Sequence, residues 1–316
     1  MNISVNRAVL PPLALIAGPT ASGKSALAMA LAELTPSVIV NADSMQVYRD
    51  LRIVTARPNV EDEARHPHML FGYIDGSESC SAARWASDAR IAIAEAHASG
   101  CLPILVGGTG LYIRTLLDGI APVPDIDKDI RMAVRELPVA EAYDALTRED
   151  PEAAARLAPA DTTRVARALE VVRSTGRTLK GWQAHREGGI ADAISLAPLI
   201  LLPPRDWLFG RCDARFKAMI GTGREEVAAL LARKFDPARP VMRAIGVSEI
   251  GALLAREISE SEAIASGSLM TRQYAKRQYT WFANQAPRSW NRHYTHLNTE
   301  IIRELAILLR INTLTA

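Results

Sequence analysis

Apolar positions change their period twice along this chain. "LALIA" (Leu13 to Ala17), "SVIV" (Ser37 to Val40) and "PILV" (Pro103 to Val106) are short unbroken apolar runs. Such runs suit strands buried on both faces of a parallel sheet, because half-exposed strands alternate apolar with polar. Between them the spacing lengthens to three and four residues. "ALAMALAEL" and "AARWASDARIAIAEAHASG", the latter closing near Gly100, read as helices. "GGTGLYIRTLL" is a glycine-rich turn opening a further helix. Strand and helix alternate, which predicts an α/β fold: a parallel sheet with helices on both faces.

From Ala121 the pattern differs. "APVPDID" reads as a hinge, and helices then follow with no strand between them: Lys128 to Leu137, Val139 to Thr147, Pro151 to Leu157 and Thr162 to Thr175. Asp150 before Pro151, Asp161 before "TTRVARALEVV", and Gly176 after it are start and stop signals. The segment leaves through "REGGIADA" (Arg186 to Ala193), and the sheet resumes at "LAPLILL" (Leu196 to Leu202). Further helices end with the long amphipathic stretch Ser268 to Gln285. The expected organisation is a core of residues 1–120 and 194–316 interrupted by an all-helical insertion, 121–193.

The composition, 48% hydrophobic and 23% charged over 316 residues, is that of a globular protein. No apolar stretch is long enough to span a bilayer. Cys80, Cys101 and Cys212 lack metal or redox spacing, and His66, His68, His293 and His296 read as loop histidines. A cytoplasmic monomer is expected. The net charge of +2 is uneven: residues 201–290 hold 14 basic and 9 acidic side chains, so that segment alone carries +5. A phosphate-rich partner would be drawn there.

Chemistry enters with "GPTASGKS", residues 18–25, which fits G-x-x-x-x-G-K-[ST] between a strand and a helix. Gly18, Pro19, Thr20, Ala21, Ser22, Gly23, Lys24 and Ser25 would wrap a diphosphate or triphosphate with backbone amides and the Lys24 ammonium. Ser25 would hold Mg²⁺. The core is thus expected to be P-loop NTPase-like. Ligands of such sheets sit beyond the strands' carboxyl ends, which gathers Ser22 to Ser25, Asp43 to Gln46 and Gly107 to Gly110 around one crevice. Asp43, in "NADSMQVY", leaves two readings open: a carboxylate for Mg²⁺, or one serving a nucleobase beside Ser44 and Gln46.

The set "GPTASGKS", "NADSMQVY", "TARPN", "PILVGGTGLY", "DTTRVARALEV", "RCDARFKAM" and "TRQYAKRQYTWF" runs in this order across nearly the whole chain. Together these resemble the bacterial tRNA isopentenyl transferases, the tRNA dimethylallyltransferase family. The resemblance implies transfer of a dimethylallyl group from dimethylallyl diphosphate to N6 of an adenosine beside a tRNA anticodon. It implies Asp43 as the base, with Thr109 and Arg215 also catalytic. It places tRNA contacts at Asp43, Ser44, Met45, Gln46, Thr109, Arg131, Thr163, Arg164, Val165, Ala166, Arg167, Arg243, Lys276 and Arg277. Arg164 and Arg167, and the basic run on the long helix, also suit RNA phosphates by their spacing alone. Tyr274 and Trp281, seven apart on that helix, read as core. Departures from the family pattern are Val54 and Arg57, where glycine and lysine are usual, and Val247 in "IGVSE". Two rivals share parts of this signature: a small-molecule or nucleotide kinase, whose insertion would be a lid, and a nucleotide-regulated RNA-binding module.

Overall fold

The computed structural model describes residues 10–315; residues 1–9 and 316, assigned above to the core, lie outside the described residues. Two compact units are present. One comprises the chain up to Leu116 together with the chain from Ile190 onward; the other is Leu117–Gly189.

The first unit alternates β1 (Pro12–Ala17), α1 (Lys24–Ala32), β2 (Ser37–Asn41), α2 (Val60–Arg65), β3 (His68–Met69), α3 (Ala82–Ala98), β4 (Leu102–Gly107) and the start of α4 (Gly110–Asp118). The six strands among the described residues form one parallel sheet in the order β3-β2-β4-β1-β5-β6. The last two are β5 (Ser195–Leu201) and β6 (Asn291–His293). Because β1 is central, its residues Leu13 to Ala17 are wholly buried. Ala14 and Ile16 pack with Ile39, Ile104, Leu199 and Leu201 against Leu27 and Leu31 of α1. The alternate positions Leu13, Leu15, Val40 and Ile200 are equally buried, which is why these strands are apolar at every position. The edge strands β3 and β6 escaped the sequence reading. They hold only two and three residues, too few to show a period. His68 and His293 therefore lie on edge strands rather than in loops, whereas His66 and His296 are outside regular elements.

The second unit contains α5 (Lys128–Glu136), α6 (Val139–Glu149), α7 (Pro151–Arg156), α8 (Thr162–Thr175) and the short α9 (Leu179–Gln183). Its core is Val134, Ala142, Ala145, Leu146, Ala153, Val165, Ala168 and Leu169. Asp150 and Asp161 cap α7 and α8 through their side chains, and Gly176 closes α8 with a left-handed φ of 68°. The boundaries fall before the proline hinge at Ala121 because Ile120 and Glu187 pair in an antiparallel bridge, tying the incoming and outgoing segments together.

After β5 the first unit continues with α10 (Arg205–Thr222), α11 (Arg224–Ala232), α12 (Val247–Leu254) and α13 (Glu260–Asn284), then β6 and α14 (Thr299–Thr315). α10 packs along α13, and α14 along α1. Among the described residues no helix is long and apolar enough to cross a membrane.

Candidate active site

The strand order puts the carboxyl ends of β1, β2 and β4 side by side, and a functional loop leaves each. From β1 the chain turns through Gly18 to Ser25 into α1. Gly18 has φ +148°, and a Cβ there would meet the Leu201 carbonyl oxygen at 2.5 Å, so only glycine fits. Other elements pin this loop. Gln278 of α13 is buried; its Oε1 accepts from the Thr20 amide (2.7 Å) and its Nε2 donates to the Gly108 carbonyl (2.9 Å). Gln278 thus ties the phosphate loop to the glycine-rich turn after β4. A Cβ on Gly108 would lie 2.2 Å from the Gln278 amide nitrogen, which explains that glycine. From α10, Arg211 Nε donates to the Ala21 carbonyl (3.0 Å) and Arg215 Nη2 to Thr20 Oγ1 (2.6 Å). Lys24 Nζ donates to the Pro19 carbonyl (2.7 Å).

Two cavities open above the sheet. The first, about 440 Å³, is lined by Thr20, Ala21, Gly23, Lys24, Ser25, Asp43, Gln46, Thr55, Ala56, Arg211 and Arg215. Lys24, Arg211 and Arg215 bring three cations to it against one carboxylate, so it is a cavity for an anion. The second, about 260 Å³, is walled largely by Met45, Val54, Phe216, Met219, Ile245 and Met270, with Arg243, Tyr274 and Arg277 among its polar groups. Thr20, Asp43, Thr55 and Arg215 line both. These four residues mark the junction of an anion cavity with an apolar one.

At the junction Asp43 is held in one pose. Its amide donates to Asn41 Oδ1 (2.8 Å), and its Oδ1 accepts from the Met45 amide (2.9 Å). Thr109 lines neither cavity. Its Oγ1 accepts from the Ser44 amide (3.0 Å) and donates to Ser44 Oγ (3.3 Å), so it shapes the Asp43 loop from behind. Tyr274 corrects the sequence reading. Rather than packing in the core, it faces the apolar cavity, with its hydroxyl against Thr109; burial, and next the Asp43 charge, push its phenol well above the usual range. The helical period alone could not distinguish a crevice from a core. Trp281 does pack inward, over Gly110.

Burial pushes the Lys24 ammonium down to about 8, offset in part by Asp43 and reinforced by Arg215. Burial also lowers Arg215, whose Nε has no hydrogen-bond partner. A buried unpartnered donor beside a depressed lysine costs stability unless an anion completes the site. An anion binds best to charged Lys24, and that charge is lost as pH rises through about 8. Affinity for a diphosphate is therefore expected to be flat near neutrality and to decline above pH 8; titration calorimetry from pH 6.5 to 9.5 checks this.

The remaining sequence-derived residues divide. Ser44, Met45, Arg243 and Arg277 surround the apolar cavity, and Lys276 is exposed on α13. Gln46 differs from expectation. Its Nε2 donates to the carbonyls of Thr55 and Ala56 (2.9 and 3.0 Å), so the paired donor-and-acceptor contact that reads an adenine edge is not on offer; it lines the anion cavity instead. In the helical unit Arg131, Thr163 and Arg164 are exposed and Ala166 half-buried. Val165 belongs to the core, so its side chain cannot meet a partner. Arg167 and Arg135 flank the buried Glu170 at 3.8 and 2.8 Å. Sequence reasoning missed Gln278, whose only signal was a polar residue on the buried stripe of α13.

This fold and site define an α/β protein with a glycine-rich phosphate loop, in which an anion cavity adjoins a more apolar one. A family model described as IPP transferase matches residues 46–285, and one described as isopentenyl transferase matches residues 11–68. A tRNA dimethylallyltransferase of Sphingopyxis alaskensis is 63% identical over 305 residues, covering 96% of this chain and 100% of the relative. One of Erythrobacter litoralis is 61% identical over 289 residues, covering 89% and 91%. Among solved structures, a full-length tRNA isopentenylpyrophosphate transferase from Bacillus halodurans is similar at 32% identity and TM-score 0.68, covering 96% of both chains. A eukaryotic dimethylallyltransferase acting on tRNA is similar at 29% identity and TM-score 0.74, covering 86% of this chain and 70% of that one. The chain belongs to the IPP transferase family.

Proposed function

We propose that this enzyme transfers a dimethylallyl group from dimethylallyl diphosphate to N6 of the adenosine adjacent to the anticodon of tRNA, releasing diphosphate. The observation that carries this reading is the junction: an anion cavity and an apolar cavity meet at Asp43, Thr20, Thr55 and Arg215. A kinase transfers a phosphoryl group and needs its acceptor beside the terminal phosphate. Here the junction sets the Asp43 carboxylate, suited to an amine losing a proton, beside a largely apolar wall.

The donor diphosphate lies along Gly18 to Ser25, with Lys24, Arg211 and Arg215 around its oxygens. The flipped adenine enters the apolar cavity among Met45, Phe216, Ile245 and Tyr274, because its N6 is inaccessible while stacked in the loop. That amine is a weak nucleophile, its lone pair delocalised into the ring. As N6 bonds to C1 of the dimethylallyl group, the C1–O bond to diphosphate breaks and Asp43 accepts the N6 proton. Charge gathering on the departing oxygens is met by donors already in place, and such stabilisation is commonly worth several kcal/mol. Among the described residues no group of three carboxylate, histidine or cysteine side chains could cage a metal. Ser25, exposed at the start of α1 and lining the anion cavity beside Lys24, would hold Mg²⁺, which would supply charge neutralisation to the leaving group.

The helical unit and α13 supply phosphate contacts through Arg131, Arg164, Arg167, Arg277 and Lys276. For Arg167→Ala and Lys276→Ala, each lost contact should weaken tRNA binding and reduce the slope of log affinity against log salt by about 0.7–0.9. Filter binding at several salt concentrations reads both; unchanged slopes make these residues bystanders. The reading as a whole is tested by supplying the purified protein with dimethylallyl diphosphate and unmodified tRNA, then analysing nucleosides. Turnover of ATP in place of prenylated adenosine would favour a kinase.

A further inference from the structure

One carboxylate that lines neither cavity organises the wall between them. Glu226, in the first turn of α11, accepts three consecutive backbone amides: Arg52 (2.6 Å) and Ile53 (2.9 Å) on Oε2, and Val54 (2.9 Å) on Oε1. These amides open the loop that supplies Val54 to the apolar cavity, Ala56 to the anion cavity and Thr55 to both. The loop is tightly turned. Thr55 Oγ1 donates to the Leu51 carbonyl (2.7 Å), Ala56 has a left-handed φ of 54°, and the Arg57 amide returns to the Arg52 carbonyl (2.9 Å). A non-glycine residue in that conformation persists only where its surroundings over-determine it. Glu226 constrains the backbone from Arg52 to Val54, and the Val54 side chain packed against Gly223 and Gly246 adds to that constraint.

The loop's carbonyls matter as much as its side chains. Those of Thr55 and Ala56 receive both protons of the Gln46 amide nitrogen. Gln46 is left with only its carbonyl oxygen to present to the anion cavity it lines. A carbonyl oxygen repels phosphate oxygens and attracts the positive charge that grows on an allylic carbon as its C–O bond lengthens. The observed hydrogen bonds therefore turn the Gln46 amide nitrogen toward the loop and reject the opposite flip, which would aim N–H groups at the cavity.

We propose that Glu226 is a positioning residue for the transfer: it fixes the 52–56 loop, which lines the two cavities through Val54, Thr55 and Ala56 and whose carbonyls hold the Gln46 amide nitrogen. The proposal rests on the dimethylallyl transfer reading above. Glu226 lines neither cavity, so its effect must pass through the loop.

A double-mutant cycle tests this, with Glu226→Gln, Gln46→Ala and the pair measured by single-turnover prenylation at saturating dimethylallyl diphosphate and tRNA. Glu226→Gln keeps shape but sets an N–H₂ against at least one backbone N–H. It should slow the chemical step about tenfold, a size seen for coupled neighbours, while the binding of each substrate stays within about twofold of wild type. In the Gln46→Ala background the same substitution should cost less than it does alone, because both side chains act on the same loop. Losses that multiply across the two variants overturn the proposal, as does a Glu226→Gln enzyme that melts earlier yet reacts at the normal rate below its midpoint. Wild-type protein that forms no prenylated adenosine would instead sink the functional reading, so the two failures are distinct.

Discussion

Replacing Asp43 by Asn is expected to lower turnover by about a hundredfold or more, because a positioned base of this kind supplies roughly that factor. Asn preserves shape, and its carbonyl oxygen can keep the Met45 amide bond at the 2.9 Å now seen. Its amide nitrogen then points N–H groups toward the incoming amine, which needs an acceptor. Donor binding should survive and even tighten slightly, since the carboxylate lines the anion cavity and repels diphosphate. A second signature follows from electrostatics. Asp43 partly offsets the depression of Lys24, so without it the Lys24 proton is lost at a lower pH. The alkaline edge of diphosphate binding should move below about pH 8 in the Asn variant. Single-turnover prenylation with calorimetry across pH reads both effects. A collapse of magnesium dependence with donor binding lost would make Asp43 a metal ligand and return weight to the kinase reading.

Lys24→Ala should abolish measurable transfer. Lys24 is one of three cations in the anion cavity, and it alone extends from the phosphate loop itself. Removing one preorganised donor to a developing oxyanion typically costs about a hundred- to a thousandfold. Here the loop also loses the tie from Nζ to the Pro19 carbonyl at 2.7 Å. Affinity for dimethylallyl diphosphate should fall in parallel, while tRNA affinity stays close to wild type because the phosphate loop faces the donor. Calorimetry with the diphosphate and filter binding with tRNA separate the two. A variant with near-normal turnover would remove the loop from the mechanism.

Much of this protein is legible in one dimension because its physical causes are local. Strands buried on both faces must be apolar at each position, so β1, β2, β4 and β5 announced themselves as unbroken runs. The phosphate loop depends on glycines at fixed offsets between a strand and a helix, and that spacing survives in any fold that uses it. The caps Asp150 and Asp161 are likewise decided within a single turn of backbone. Asp43, Ser44 and Gln46 could be grouped with the loop because strand ends of a parallel sheet converge.

Direction within the crevice was a matter for the tertiary structure alone. Tyr274 and Trp281 share a helix and a sequence spacing, yet one lines a cavity and the other covers Gly110, because the period of α13 fixes only relative angles. Gln46 keeps only its carbonyl oxygen free because carbonyls from a loop nine and ten residues away claimed its amide nitrogen. Gln278 and Glu226 reach across 258 and up to 174 residues to hold functional loops, and neither residue carries a local sign of it. Hydrogen bonds between segments so far apart exist only once the sheet has brought their elements together, so composition and periodicity determined the sheet and its phosphate loop, while the packing of α10, α11 and α13 decided which side chains face the chemistry.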